Sequence, residues 1–415
     1  MYTLKVKGIN NLLIMACDLV KTDGVEVVAR GKKTMEVRPV FMEVEDPTDR
    51  TLLYPKRGNN PYQTFFELLW VLGAKDNNIA QLRKFLPRAD LYSDNPNTPK
   101  SRWRAGYPER IFNYGCTYND THMSMGEAYC DGINQFKYVY DTLKADTASR
   151  QAVISLWNAS LDTYSVSSEN DLLVTGDRPC SNVIYFTIRD NELDCSVTMR
   201  SNDVIFGLTS INMYEFTVMQ SLLAKMLGVE VGKYNHLSNS LHIYEDKYAK
   251  FDEIIKQADN YNADNYLILL QKYGKVKFAW EDFVAEDDFS SSDVFEVLYK
   301  EMSLLFEQLQ GSHVTIEMAY GYGLDSLIIV RDKTKADVNT NHIIDDLIFL
   351  LTAYSRIKRE DFILVNLYEI FTKIRNTDLK VSCFYHCLKN MKNRCFEDTA
   401  EDLEKHIQYC FNEVK

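Results

Sequence analysis

The stretch RPCSNVIYFTIRDNELDCSVTMRSNDVIFG, residues 178–207, decides how the rest of the chain is read. A cysteine follows a proline at Cys180, and a β-branched and aromatic run extends from Val183 to Ile188. A polar turn at Arg189–Glu192 precedes a second run, Leu193–Met199. Two such runs around a short polar turn predict a β-hairpin. The hairpin sets the Cys180 thiol at the start of one strand and Arg200 at the end of the other. Both then sit at one edge of a sheet, with Ser201 and Asp203 in a loop beyond. A guanidinium beside a thiol favours the thiolate, and the same group holds phosphate through paired hydrogen bonds. An ordinary hairpin with a buried cysteine gives the same spacing.

Composition bounds the rest. The 415 residues are 46% hydrophobic, enough for a large core or two domains. A net charge of −12 disfavours non-specific nucleic-acid binding, which needs a basic surface. An anionic substrate must then be held by a local basic pocket. The nine cysteines show no CxxC and no regular framework, which reads as reduced thiols in a cytoplasmic compartment. The first residues, MYTLKVKGINNLLIMACDLV, hold a short apolar run without a small-residue cleavage site and do not read as a signal peptide. No run has the length of a membrane span.

Elsewhere, residues 1–45 alternate in strand fashion, with a basic turn at Arg30–Lys33. TFFELLWVLGAKDNNIAQLRKF has apolar positions three and four apart and predicts one helix. It carries Glu67 beside Trp70 on an apolar face. Burying a carboxylate is costly unless it is paired or neutral, and burial raises its pKa into a range useful for proton transfer. Residues 85–130 are polar and punctuated, and include Trp103 and the NYG of Asn113–Gly115. Residues 131–148 read as an amphipathic helix, followed by Arg150 and Gln151. GLTSINMYEFTVMQSLLAKML reads as a long helix ending at Gly228, with Asn212 near its start. Strand alternation in LHIY puts His242 and Tyr244 on one face.

The order PC, MRSNDV, LHIY resembles the thymidylate synthase superfamily, and within it the phage deoxyuridylate and deoxycytidylate hydroxymethylases. The similarity covers roughly Lys33 to Tyr248. It implies an α+β fold, a mixed sheet with packed helices, over residues 1–250. It also implies roles. Cys180 is the nucleophile. Glu67, matching ELLW, organises water and protons at the pyrimidine ring. Tyr114 faces the thiol, and Asp203 belongs to the same catalytic group. Arg200 and Ser201 bind the substrate phosphate, and His242 and Tyr244 the sugar 3′-hydroxyl. Arg150 binds phosphate across a homodimer interface. There the family's second arginine is Gln151, a loss that Arg178 could offset. Asn212 falls on the base-reading position once an extra residue is allowed within Leu208–Ile211; an ungapped count puts Ile211 there. A carboxamide pairs with uracil O4 and N3–H, whereas a carboxylate favours cytosine.

The implied donor is 5,10-methylenetetrahydrofolate, and the implied substrate is a pyrimidine nucleoside monophosphate, dUMP with Asn212 in place. A thiolate adding to C6 turns C5 into a nucleophile. Hydride then gives a methyl product, and water a hydroxymethyl one. Ser181 stands where synthases carry His, the arginine pair is reduced, and a long extension replaces the short closing tail that keeps water out of synthases. These departures point to deoxyuridylate 5-hydroxymethylase, with thymidylate synthase as the alternative. An enzyme of this type acts in the cytoplasm, the host's if phage-encoded, with no membrane or direct nucleic-acid partner. A non-catalytic nucleotide- or partner-binding homologue is the reading of another class.

Residues 251–415 lie beyond the resemblance. Their polar-capped apolar runs predict a mostly helical C-terminal domain. HVTIEMAY and DSLIIVRD read as strands. Cys383, His386, Cys387 and Cys395 have a loose metal-like spacing that a helical setting makes core thiols.

Overall fold

The computed structural model describes residues 1–54, 57–93, 97–115, 132–163, 177–259, 276–311, 318, 321–322, 328–330, 338–361, 363–375, 377–406 and 410–411. Strands β1 (Tyr2–Val6), β4 (Val40–Val44), β5 (Val153–Ser155), β6 (Ser181–Arg189), β7 (Glu192–Met199) and β9 (Glu230–Ser238) form a sheet ordered β1-β4-β9-β7-β6-β5. It is mixed: β1/β4 and β7/β9 run parallel, and the other neighbours antiparallel. A second sheet joins β2 (Val25–Ala29), β3 (Lys32–Val37), β10 (Leu241–Tyr244) and β8 (Asn202–Asp203) in that spatial order.

The central hairpin forms as its sequence predicts. β6 and β7 pair from Ser181↔Met199 to Arg189↔Glu192. The turn residues Asp190 and Asn191 have φ of 51° and 64°. Asp and Asn tolerate that left-handed backbone, which matches the twist of a tight hairpin. Alternate residues Ile184, Phe186 and Ile188 face the core, as do Leu193, Cys195, Val197 and Met199. After helices α3 (Tyr107–Phe112), α4 (Gln135–Ala145) and α5 (Ala159–Asp162), helix α6 (Met213–Leu227) packs on β7 and β9. Its Gln220 carboxamide donates to Leu193 O at 2.8 Å and Gly232 O at 3.1 Å, which fixes helix to sheet. The helix stops at Gly228, whose φ of 67° suits a residue without Cβ.

Three expectations fail in instructive ways. Residues 1–45 are not all extended: Ile9–Asp23 is helix α1. Ile9, Leu12, Leu13, Ala16, Cys17 and Val20 are buried, a three-and-four spacing that strand alternation does not produce. Helix α2 (Pro61–Gly73) ends earlier than predicted. Lys75 has φ of 56°, and Asp76 Oδ1 accepts from Asn78 N at 3.0 Å, a local turn that competes with the helix. The described parts of HVTIEMAY and DSLIIVRD, Met318 and Ile328–Val330, are helical. Val330 alone of that triplet reaches the core, with Ile328 and Ile329 exposed. The remainder of both runs lies outside the described residues.

Beyond β10 the described chain is mostly helical: α7 (Tyr248–Asp259), α8 (Val294–Leu309), α9 (Val338–Arg359), α10 (Leu364–Lys373), α11 (Asp378–Asn393) and α12 (Glu397–Lys405). Helices α8 and α11 pack directly on α2. A Cβ at Gly73 would lie 2.2 Å from Phe295 O, so only glycine permits the α2–α8 approach. Tyr62 stacks on Tyr354 at 4.6 Å, and Phe85 meets Phe306 in a tilted contact at 4.5 Å. Each large buried side chain contributes about 1.5–3 kcal/mol of hydrophobic stabilisation. The buried residues of both halves form one continuous cluster. No helix among the described residues is long and apolar enough to cross a membrane.

Candidate active site

The open end of the hairpin carries Cys180. Arg200 N donates to Cys180 O at 2.9 Å, closing β6 against β7. The Arg200 guanidinium donates to Pro179 O and Arg178 O, each at 2.9 Å, and stands 3.7 Å from Cys180 Sγ. A cation at that range favours the thiolate by about 4 kcal/mol at an effective dielectric of 20. Burial nevertheless pushes the thiol above its ordinary pKa, with Arg200 pulling the other way and Asp177 adding to the rise. Arg200 pulls towards the thiolate, as its position predicts, but desolvation outweighs the guanidinium in the direction of the shift.

Next to it lies a polar floor. Ser201, half-buried, leads into β8. β8 is a short strand where a loop was expected, and Asp203 pairs in register with His242 on parallel β10. Asp203 Oδ1 accepts from Ile205 N at 2.7 Å and Phe206 N at 3.1 Å and so caps the helical segment that follows. Burial raises the Asp203 carboxyl, while those backbone donors and His242 oppose the rise. The His242 and Tyr244 rings meet edge to face at 5.1 Å. Burial raises the Tyr244 hydroxyl as well, and Asp203, Arg30 and Cys180 all act on it. Arg30, at the β2–β3 turn with φ of 50°, therefore belongs to the same electrostatic neighbourhood.

Val204–Asn212 is a π-helix that runs directly into α6. Such a segment takes up an extra residue without breaking the helix around it. Ile211 is buried and Asn212 half-buried. A Cβ on Gly207 would lie 2.9 Å from both Asn202 Oδ1 and Asn212 Oδ1, so the two carboxamides close on the glycine.

The opposite wall comes from α2 and the segment after it. Glu67 is 5% exposed, and Gln63 Nε2 donates to it at 3.5 Å. Burial pushes its carboxyl up to about 7, opposed by Gln63 and Arg88. Trp103 stacks against Trp70 at 5.9 Å and Tyr92 at 5.1 Å, and its indole N–H donates to Asp177 Oδ2 at 2.8 Å. Burial raises the Tyr92 hydroxyl, on which Arg88, Asp177, Cys180 and Glu67 also act. Glu67, the aromatic stack and Cys180 thus surround common ground.

Tyr114, Arg150 and Arg178 have other described surroundings. Tyr114 Oη donates to Trp157 O at 3.3 Å, and its backbone pairs with Ile133. Its described contacts fix that loop rather than aim the phenol at the thiol. Arg150 is exposed just before β5. Arg178 is turned to the carbonyls of Asp162 and Asp177, each at 2.8 Å. Cys383 and Cys387 are buried free thiols, and the described residues hold no group of three or more metal-ligating side chains.

Sequence reading missed two neighbours of the site. Tyr107 Oη donates to Ser181 Oγ at 2.8 Å and accepts from Ser181 N at 3.2 Å, at the residue that follows Cys180. Glu215 is 1% exposed on α6. Tyr107 stands in a polar stretch without a local signal. Glu215, in INMYEFTVMQ, carries the same lone-acid signal that singled out Glu67.

Comparison with known proteins matches residues 15–294 to the thymidylate synthase family model. The deoxyuridylate hydroxymethyltransferase of Bacillus phage SP01 is 32% identical over 64% of this chain and 64% of its own length. The deoxyuridylate hydroxymethyltransferase of Pseudomonas phage M6 is 27% identical over 63% of this chain and 66% of its own. A thymidylate synthase of Francisella philomiragia subsp. philomiragia is 26% identical over 52% and 73%. The chain spans just under two thirds of the length of the phage relatives it matches.

Proposed function

The chain belongs to the thymidylate synthase family, and from that premise we propose that it transfers a one-carbon unit to C5 of deoxyuridylate and releases 5-hydroxymethyl-deoxyuridylate. The observation that carries this reading is the constellation at the hairpin end. A thiol 3.7 Å from a guanidinium and a buried carboxylic acid raised to about 7 both act on the Tyr92 hydroxyl. The lean to hydroxymethylation draws on the names of the phage relatives.

The residues fit a reduced folate. Trp103, Tyr92 and Trp70 give an aromatic wall for a pterin, beside a buried acid and the orphaned oxygens of Glu215. Bound 5,10-methylenetetrahydrofolate supplies the electrophilic one-carbon unit.

The protein's own groups do the remainder. Cys180 loses its proton as its sulfur adds to C6, and the C5=C6 electrons become available at C5. Arg200 stabilises the anionic sulfur once desolvation is met by substrate. Arg30, Arg200 and Ser201 face the phosphate, with Arg150 supplied by the other subunit of a homodimer. His242 and Tyr244 take the sugar 3′-hydroxyl. Asn212 reads O4 and N3–H of uracil, a placement supported by the π-helix that absorbs the extra residue. Once C5 has lost its hydrogen as a proton to water and the base carries an exocyclic methylene, the oxygen of a second water bonds to that carbon and its proton passes to Glu67. The π electrons move to O4, return to form C5=C6, and expel the Cys180 thiolate. Hydride reaching the same carbon would instead give the methyl group of a thymidylate synthase.

Residues 1–250 form the catalytic unit in this reading, and the mostly helical 251–415 brace it. His386 Nδ1 on α11 bonds Asn59 O at 2.8 Å, and Asn59 Oδ1 accepts from Ser210 Oγ, in the segment before Asn212, at 3.1 Å. Exchange of the uracil C5 hydrogen with solvent tests the enzyme reading without folate. Exchange that disappears in Cys180→Ala, with nucleotide binding intact, supports it. Tight binding with no exchange in the parent protein favours a binding homologue. Asn212→Asp should move the preference towards deoxycytidylate, read by competing the two nucleotides.

A further inference from the structure

Glu67 is not the only acid at the site. Glu215 projects from α6, which packs on α2, the helix of Glu67. Both carboxyls are buried. Neither oxygen of Glu215 has a hydrogen-bond partner among the described residues, and both are shut off from solvent. A buried carboxylate left without a donor is costly by several kcal/mol. Two such acids within electrostatic reach cannot both ionise. The neighbours of Glu215 on α6, Tyr214, Phe216 and Val218, are buried as well.

We propose that Glu215 is a positioning residue that shares a proton with Glu67 and, as the neutral partner, donates its O–H to Glu67 or to the water that Glu67 activates. This rests on the reading above and deepens it. The acid near 7 takes the water proton, and the second acid holds the water in line and keeps the negative charge on Glu67 rather than on itself. Burial and then the Glu67 charge push Glu215 well above the ordinary carboxyl range, and burial raises Glu67 as well. Tyr107, on which Cys180 and Glu215 act, and Tyr92 are both raised by burial, and the Arg88 guanidinium acts on Glu67. Tyr107 also touches Ser181, so the acid pair and the nucleophile share one polar strip.

The test uses full-length protein with Glu215→Gln and Glu215→Leu. Glutamine keeps a neutral donor; leucine removes it and relieves the orphaned oxygens. Glu215→Leu should melt at or above the temperature of the parent protein. It should also lose about 10²-fold in kcat for hydroxymethyl product, while retaining Cys180-dependent exchange of the C5 hydrogen. Its acidic pH limb should shift. Glu215→Gln should recover most of the rate. Glu215→Leu with the parent's kcat and pH profile would overturn the proposal, as would a lower melting temperature with a proportional loss of every activity, the mark of a structural role. If the parent protein forms no hydroxymethyl product, the proposed function fails instead. The acid pair is then read from the pH dependence of C5-hydrogen exchange, where a profile unchanged by Glu215→Leu would overturn it.

Discussion

Two buried ionic sites in this molecule are built on opposite rules. At the first, Arg110 donates through both terminal nitrogens to Asp162, Nη1 to Oδ2 and Nη2 to Oδ1, each at 2.8 Å. Asn158 N adds a third donor to Asp162 at 2.8 Å, and Arg110 also reaches Leu156 O at 2.6 Å. The carboxylate there is met on every side. At the second, Glu67 receives one long contact, and Glu215 has no partner among the described residues. Full compensation holds a loop; incomplete compensation leaves acids whose protons can move. What separates structural from chemical burial is therefore the donor set around a carboxylate, and not its depth.

That contrast can be broken by substitution. Glu67→Gln should remove about 10²–10⁴-fold of kcat, with no loss in melting temperature, because a poorly satisfied acid is replaced by a neutral amide. A clear fall in melting temperature would place Glu67 with the structural acids. Asp162→Asn should do the reverse. Breaking a buried pair from one side costs about 3–5 kcal/mol of stability, visible as a lower urea midpoint. The folded fraction should keep its kcat. A lost kcat at full stability would move this pair into the chemistry.

A smaller effect sharpens the comparison through pH. Glu67 is raised from 4.5 to about 7 in the folded chain. Between those values the folded protein holds a proton that the unfolded chain has released, so this group's contribution to stability falls as pH rises. The slope reaches about 1.4 kcal/mol per pH unit at most. The melting-temperature advantage of Glu67→Gln should therefore grow from pH 4.5 to 7 and then level off. A constant advantage would mean that Glu67 titrates alike in both states.

Much of this arrangement was legible in the sequence because it is written in short-range pattern. The hairpin follows from alternation and from Asp190 and Asn191 at the turn. LHIY, MRSND and the lone acid in FFELLW each mark their place. The register Asp203↔His242 was not legible, since it joins segments through a sheet that no local pattern specifies. Nor was the upward shift of the Cys180 thiol: Arg200 could be read from its position, but desolvation is a property of the packed core. Helix α1 was misread because β-branched residues flank it, although its apolar spacing was helical. Glu215 was overlooked for a different reason. An acid inside a long apolar helix gave the same warning as Glu67, but no known motif drew attention to it. The helices after residue 250 were visible as helices, yet the contact of α11 with α2 depends on long-range packing.

The most direct test of the account is the mass of the product formed by purified protein from deoxyuridylate and methylenetetrahydrofolate, with absorbance at 340 nm followed in parallel. The account predicts 5-hydroxymethyl-deoxyuridylate and no rise in absorbance, because water and not hydride reaches the methylene. A methyl product with rising absorbance, as dihydrofolate forms, would contradict it and make the protein a thymidylate synthase with a helical extension.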